Sequence, residues 1–422
     1  MDPSTTISST ELVSPARAGR IRKTMGYYAA FVALGLSAAS LGPTLSGLAK
    51  HTQTRLHEIS FLFMARSLGY LFGSLLGGRS YDRVSGHPVM ATALIVMAVM
   101  ITLAPLMSLL WLLTAVLLIL GVAEGTLDVG GNTLLVWTHR DKVGPFMNGL
   151  HFCYGAGAFL SPILVAQAVL MSGDITWAYW VLALLMLPTA VWLLRLSSST
   201  TQAASRDKPV GQVNHRSTGA HERLLVALIA LFFVLHVGAE SSFGGWVYTY
   251  AVALELTSET VAAYLTSAYW GSLTLGRLLV IPLAARFRPR SILLGDLVGC
   301  LAGVGVILLW PNSLTALWLG TLVLGLSIAS LFPVSLSLAE RCTTITGQVT
   351  GWLLVGASVG GMSLPSLIGQ LFESVGPRVT MLAIMVDLVV AVGVFAVLVF
   401  YSTRPVMDDG HLSRDPNGFR NP

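Results

Sequence analysis

The sequence predicts an all-α polytopic membrane protein with twelve transmembrane helices in two pseudo-symmetric six-helix halves. Three observations predict it. Only 11% of the residues are charged and 54% are hydrophobic, whereas a soluble globular chain carries about 25% charge. The apolar residues gather into runs of roughly 20, the length that crosses a bilayer as a helix. And the same residues recur at one offset: Gly73 with Gly276, Arg83 with Arg286, Gly157 with Gly360, Pro162 with Pro365 and Gln167 with Gln370 are each 203 positions apart. A constant offset over two separate regions marks the second half as a copy of the first in the same membrane orientation. Parallel six-span repeats are the arrangement in which a polar site lies between halves that rock to expose it alternately.

In chain order, residues 1–24 form a polar tail and residues 25–196 the first bundle, with spans near 25–49, 58–78, 88–109, 111–137, 145–171 and 176–196. Residues 197–222, rich in Ser and Thr without apolar periodicity, read as a flexible linker. The second bundle occupies 223–403, with spans near 223–250, 258–284, 291–310, 314–338, 347–373 and 378–402, and residues 404–422 form a second tail. Twenty Lys and Arg fall on the side of the tails and linker against three on the other, which places both termini in the cytoplasm of a multi-pass cell-membrane protein.

Composition also excludes. The net charge of +5 comes from basic residues spread over short loops, as topology determinants are, so nucleic acid is not an expected partner. Three cysteines, Cys153, Cys300 and Cys342, imply no disulfide framework. No G-x-x-x-x-G-K-[ST] or H-E-x-x-H stretch is present, which argues against an ATP-driven pump and a zinc hydrolase. We expect no enzyme activity, no cofactor beyond a coupling ion, and a chain that acts as a monomer in the lipid bilayer.

The most informative stretch is LGVAEGTLDVGGNTLLVW, residues 120–137. Glu124, Asp128 and Asn132 are spaced i, i+4, i+8 and share one face of a helix. Glu124 lies thirteen residues past Trp111, or ~20 Å at 1.5 Å per residue, near mid-membrane. An acid in hydrocarbon costs at least ~2.5–3.5 kcal/mol, and such groups mark ion and substrate pathways. The pair Gly130-Gly131 either packs closely against a neighbour or loosens the helix and frees carbonyls that, with Asp128 and Asn132, suit Na⁺.

The seventh span offers His236 and Glu240, again four apart, followed by Gly244-Gly245, an expected helix break, and Trp246. His236 and Glu240 can share a proton, and Trp246 either stacks on a sugar or joins an interfacial belt. The fifth span adds Asn148, His151 and Tyr154, and the eighth Tyr269 and Trp270. Arg277 is expected to pair with Asp296, and Pro162 and Pro365 to bend their spans; Arg66 is expected to neutralise either a substrate or one of the acids, its place open, and Asp387 has no assigned role. Hydroxyls, amides, carboxylates and aromatics suit a neutral polyol such as a sugar and lack the basic cluster an organic phosphate demands.

GGRSYDRVSGHP at 77–88 resembles the loop signature of the major facilitator superfamily, with Gly78, Asp82 and Arg83 in place. The resemblance implies that Asp82 and Arg83 latch cytoplasmic helix ends in one alternating state. The second-half copy keeps Arg286 but has Ala285 where an acid often stands, so the latch is one-sided. A narrower resemblance, carried by LDVGGNTLLVW, DKVGPFMNGLHFCYGAGAFLSPIL and HVGAESSFGGWVYTYA, is to the sodium-dependent glucose transporter branch, related to fucose–proton symporters. It implies the major facilitator fold. It puts Glu124 where those symporters carry a coupling acid in the fourth span, while the first span here lacks their second acid. The function expected is secondary transport of a sugar or similar polyhydroxylated solute by alternating access, coupled through Glu124, Asp128 and Glu240 to Na⁺ or H⁺. The alternative is an exporter of amphipathic drugs or lipids on the same fold.

Overall fold

The protein is described here as a computed structural model covering residues 15–196, 220–342 and 347–402. The described chain is helical throughout its membrane-spanning part. The first half contains α1 (Pro15–Ala38), α2 (Leu41–Thr52), α3 (Leu56–Ile59), α4 (Phe61–Tyr81), α5 (Gly86–Leu103), α6 (Leu110–His139), α7 (Val143–Ser172) and α8 (Ile175–Leu194). The second contains α9 (Ala220–Ala253), α10 (Glu259–Ala284), α11 (Pro289–Leu309), α12 (Leu314–Ile328), α13 (Leu331–Cys342), α14 (Gly347–Val375) and α15 (Val379–Ser402). Residues 15–24, expected in the tail, are helical, and so are the last three positions expected in the linker. The rest of that linker and the C-terminal tail lie outside the described residues.

Among the described residues ten helices are long and apolar enough to cross a membrane, and α1 with α2, bent by 48°, makes an eleventh span. The twelfth is α10, whose 26 residues are ample in length. Its apolarity is diluted by Thr266, Ser267, Ser272 and Thr274, all buried inside the protein. They are polar because this helix faces α7 of the other half rather than lipid. Large apolar side chains instead coat the outside, with Trp111 and Leu184 each 66% exposed.

Besides the short interruption at Ser60 between α3 and α4, two spans are broken among the described residues, and these two breaks share a cause. The sequence Ser40-Leu41-Gly42-Pro43 opens α2, and Ser330-Leu331-Phe332-Pro333 opens α13. Proline lacks the N–H that would continue the preceding helix and is tolerated in a first turn. The Ser40 hydroxyl donates to the Ser37 carbonyl at 2.8 Å at the first break. Of the two readings of Gly130-Gly131 the loosened helix is not found, nor is the break expected at Gly244-Gly245, since α6 and α9 run through both pairs. Those glycines make room instead: a Cβ on Gly131 would strike Phe31, one on Gly130 Tyr81, and one on Gly245 Phe63. Pro162 and Pro365 likewise lie inside continuous helices.

An even number of spans returns the chain to its starting side, here termed the linker side; the other side is distal. Within the halves α1 packs on α7, α9 on α14, and α4 on α6. The halves meet through α7 on α10, α3 and α4 on α14, and α2 on α9.

Candidate solute and ion site

α4 and α6 run side by side from the distal to the linker side. Their approach is set by glycine: a Cβ on Gly69 or Gly73 would collide with the α6 carbonyls of Leu118 or Val122, and one on Gly121 or Gly125 with the α4 carbonyls of Arg66 or Tyr70. Small residues allow this backbone contact. Parallel helices in register bring equal steps together, so Arg66 meets Glu124 and Tyr70 meets Asp128, each 58 positions apart.

The Arg66 guanidinium donates to Glu124 through Nε at 2.9 Å and Nη2 at 2.5 Å. Ser37 donates to the same carboxylate at 2.5 Å. Arg66 also reaches the carbonyl of Ala38 at 3.3 Å, the last residue of α1 before the break. The broken first span therefore supplies a hydroxyl and a freed carbonyl to a bidentate ion pair, and bidentate pairing is the strong form of this interaction. One turn along, the Tyr70 hydroxyl donates to Asp128 Oδ2 at 2.5 Å, and the Asn132 amide donates to Oδ1 at 3.1 Å and to the Asp128 carbonyl at 2.9 Å. Glu124 thus has a positive partner, whereas Asp128 has only neutral ones. A cation at Asp128 would take the carboxylate, with the Tyr70 hydroxyl and Asn132 amide turned to offer their oxygens. Among the described residues no group of three or more His, Cys, Asp or Glu could hold a metal ion.

Across the interface, Glu240 lies 3.6 Å from Arg277. Asp296 is not the partner of Arg277, contrary to expectation; it accepts from Ser330 at the second helix break. Tyr269 donates to the Glu240 carbonyl at 3.0 Å and anchors α10 to α9. Tyr154 of α7 is close enough to both ion pairs, Arg66–Glu124 and Glu240–Arg277, to feel their charges. His151, one turn away, sets its ring edge-on to Phe31 at 6.0 Å.

The structure therefore gathers Glu124, Asp128, Asn132, His151, Tyr154 and Glu240. Asn148 lies farther along α7 toward the linker side and is exposed. Tyr269 and Trp270 are buried behind Glu240, edge to face at 5.3 Å. His236 does not join them. It is fully buried among Phe232, Phe233 and Phe332, its Nδ1 on the Phe232 carbonyl at 2.8 Å, and it shares no hydrogen bond with Glu240. Trp246 is also fully buried: its indole N–H donates to the Pro365 carbonyl at 3.0 Å and its ring stacks on Phe372. It belongs to the distal seal. Tyr70 and the helix break at Ser40 are parts of the site that sequence reasoning missed; the Pro43 that follows Ser40 was the available signal for the break.

The distal seal is extensive. Gln167 donates to Tyr264 at 2.5 Å, and its repeat counterpart Gln370 donates to the His57 carbonyl at 2.8 Å. Glu373 accepts from the Leu56 N–H at 3.0 Å and binds His57 at 2.9 Å. Ser67 on the Gly361 carbonyl at 3.3 Å is the deepest hydrogen bond of this set. On the linker side Asp82, Arg83 and Arg286 are exposed and form no ion pair among the described residues, and a Cβ on Gly78 would meet open space. A Gly356-Ala357-Ser358-Val359-Gly360 stretch spells the G-x-S-x-G of serine hydrolases, but it lies inside unbroken α14, without the strand-to-helix turn that exposes such a nucleophile.

With this geometry stated, comparison with known proteins identifies the class. The family model described as Major Facilitator Superfamily matches residues 27–341. Sodium-dependent glucose transporter 1 of Homo sapiens is 32% identical over 413 residues, covering 90% of this chain and 79% of that protein. Its Xenopus laevis counterpart is 31% identical over 360 residues, covering 80% and 73%. Major facilitator superfamily domain-containing protein 4A of Danio rerio is 30% identical over 437 residues, covering 84% and 83%. Among solved structures, the nucleoside transporter NupG superposes with a TM-score of 0.71 at 14% identity, over 91% of this chain and 99% of that one. A bacterial Spinster homologue in an inward-facing, unoccupied conformation gives 0.69 at 13% identity, over 92% and 98%. The chain belongs to the Major Facilitator Superfamily, in its sodium-dependent glucose transporter branch, and is a membrane transporter rather than an enzyme.

Proposed function

We propose that this transporter moves a sugar or similar polyhydroxylated solute by alternating access, coupled to Na⁺ or H⁺. The observation that carries the reading is the pair of acids on α6: Glu124 neutralised by Arg66, Asp128 held one turn away by the hydroxyl and amide of Tyr70 and Asn132. A carboxylate with only neutral donors gains free energy from a proton or a cation, and Asn132, His151 and Tyr154 offer a sugar its hydrogen bonds nearby, with Asn148 farther toward the linker side. Na⁺ or H⁺ at Asp128 favours the state that binds solute, and by reciprocity the solute favours the cation. The names of the relatives, sodium-dependent glucose transporters, support both the sugar and the ion.

The joined distal side and the exposed Asp82, Arg83 and Arg286 fit a state open toward the linker, with that latch engaging when the halves rock the other way. The excess of basic residues on the linker side supports a cytoplasmic position for that opening. Uptake of labelled hexose into proteoliposomes under imposed Na⁺ or H⁺ gradients tests the proposal. Accumulation above equilibrium is expected with one of the two gradients, and accumulation with neither overturns the coupling.

A further inference from the structure

A second cavity, of about 540 Å³, opens away from the central site, toward lipid on the distal half of the protein. Its walls come from both halves: Phe61 and Met64 from α4, Ser363, Leu364 and Leu367 from α14, and Asp387 from α15. Phe61 and Leu367 are 46% and 50% exposed, so the mouth is apolar and faces acyl chains. Asp387 lies eight residues from the start of α15 at Val379, ~12 Å below the distal helix end. Its Oδ2 is buried and has no hydrogen-bond partner, and it forms no ion pair among the described residues. No Lys or Arg lines the cavity.

A carboxylate at this depth is costly unless something supplies its counter-charge. Among the described residues none supplies it, and the cavity has the size of a small-ligand site. The absence of basic lining disfavours a phosphate headgroup. We propose that this groove is a binding site for a membrane-dissolved lipophilic amine, whose ammonium pairs with Asp387 while its alkyl chain lies along Leu364 and Leu367. Because α4 closes the groove only where the halves meet distally, an amine bound there favours the distally closed state and holds back the rocking step. The proposal is independent of which solute the central site carries.

Thermal unfolding of the full chain in phosphatidylcholine nanodiscs tests it, titrated at pH 7 with dodecylamine or, at equal loading, dodecanol. A ligand of the native state raises the unfolding temperature by mass action. The expected result is a saturable rise with dodecylamine, none with dodecanol, and loss of the rise in Asp387→Asn. Leu364→Trp, which fills the groove and keeps the carboxylate, is expected to lose it as well. An equal rise with dodecanol, an undiminished rise in either variant, or no saturable rise in the native chain overturns the proposal.

Discussion

Gly42 and Gly245, 203 positions apart in the sequence, meet backbone to backbone in the fold: a Cβ on Gly42 would sit 3.1 Å from the Gly245 carbonyl oxygen and 3.3 Å from its Cα. Each is the other's repeat counterpart. Two copies of one position touch only where the pseudo-twofold axis relating the halves passes, so this contact marks that axis. Gln167 and Gln370, also counterparts, tie the halves on either side of it. Alanine at both removes two hydrogen bonds of about 0.5–1.5 kcal/mol each. A coupling of that total, ~1–3 kcal/mol, is a shift of roughly 5–150-fold between states. Alkylation of a cysteine placed at Phe63, beneath the seal, is expected to accelerate from the distal side in the double variant.

Arg66 and Glu124 form a buried pair, with side chains 12% and 4% exposed. Removing one partner of such a pair costs about 3–5 kcal/mol because the other charge is stranded, while replacing both with apolar groups is often neutral. Arg66→Met is expected to lower the unfolding temperature of the purified protein sharply. Arg66→Met with Glu124→Met is expected to recover most of that loss while transport stays absent.

The glycine seam between α4 and α6 makes a steric prediction. Gly69→Val and Gly121→Val each drive a branched side chain into a facing carbonyl, at Leu118 and at Arg66. Overpacking of this kind costs about 1–3 kcal/mol or more. Both variants are expected to lose folded, monodisperse protein in size-exclusion profiles, whereas Gly78→Ala, with nothing within 4 Å, is expected to match the native chain.

Much of this was legible in the sequence, and the reasons differ by feature. The repeat and the span count follow from periodicity and apolarity, which the bilayer imposes on every crossing segment. The stripe of Glu124, Asp128 and Asn132 followed from helical spacing alone. Their partners did not, because Arg66 and Tyr70 reach α6 only through a helix register that the glycines fix. His236 and Trp246 looked like site residues by type, yet a polar or aromatic side chain on a long helix serves whichever neighbour it meets, and here these are phenylalanines and the Pro365 carbonyl. Gly244-Gly245, read as a break, turned out to be a spacer, and Gly130-Gly131 proved to be the close-packing pair that was one of its two readings, while breaks lay three residues ahead of Pro43 and Pro333.

Outside the membrane, Asp174 caps α8 by accepting the Thr176 N–H at 2.7 Å and binds His51 at 2.9 Å. Burial raises its carboxyl, but the bonds from Thr176 and His51 outweigh this and hold it below the ordinary carboxylate range. A depressed folded-state value contributes stability that is complete above the unfolded value of about 3.9 and is lost as pH falls through the folded one. Asp174→Ala is expected to cost about 0.5–2 kcal/mol at pH 7, as caps do. It should flatten the acid limb of an unfolding-temperature profile between about pH 5 and 2. With the Asp174 side chain 43% exposed, the ion pair with His51 adds little beyond the cap.

The measurement that bears most directly on the proposed coupling is the hexose affinity of purified protein, titrated at fixed ionic strength with Na⁺ in place of K⁺ and at two pH values, in the native chain and in Asp128→Asn. Tighter hexose binding with Na⁺ or with H⁺ in the native chain, and an affinity indifferent to both in the folded variant, is the predicted result. A hexose affinity that is the same with and without either cation in the native chain, or a cation dependence that survives Asp128→Asn intact, would contradict it.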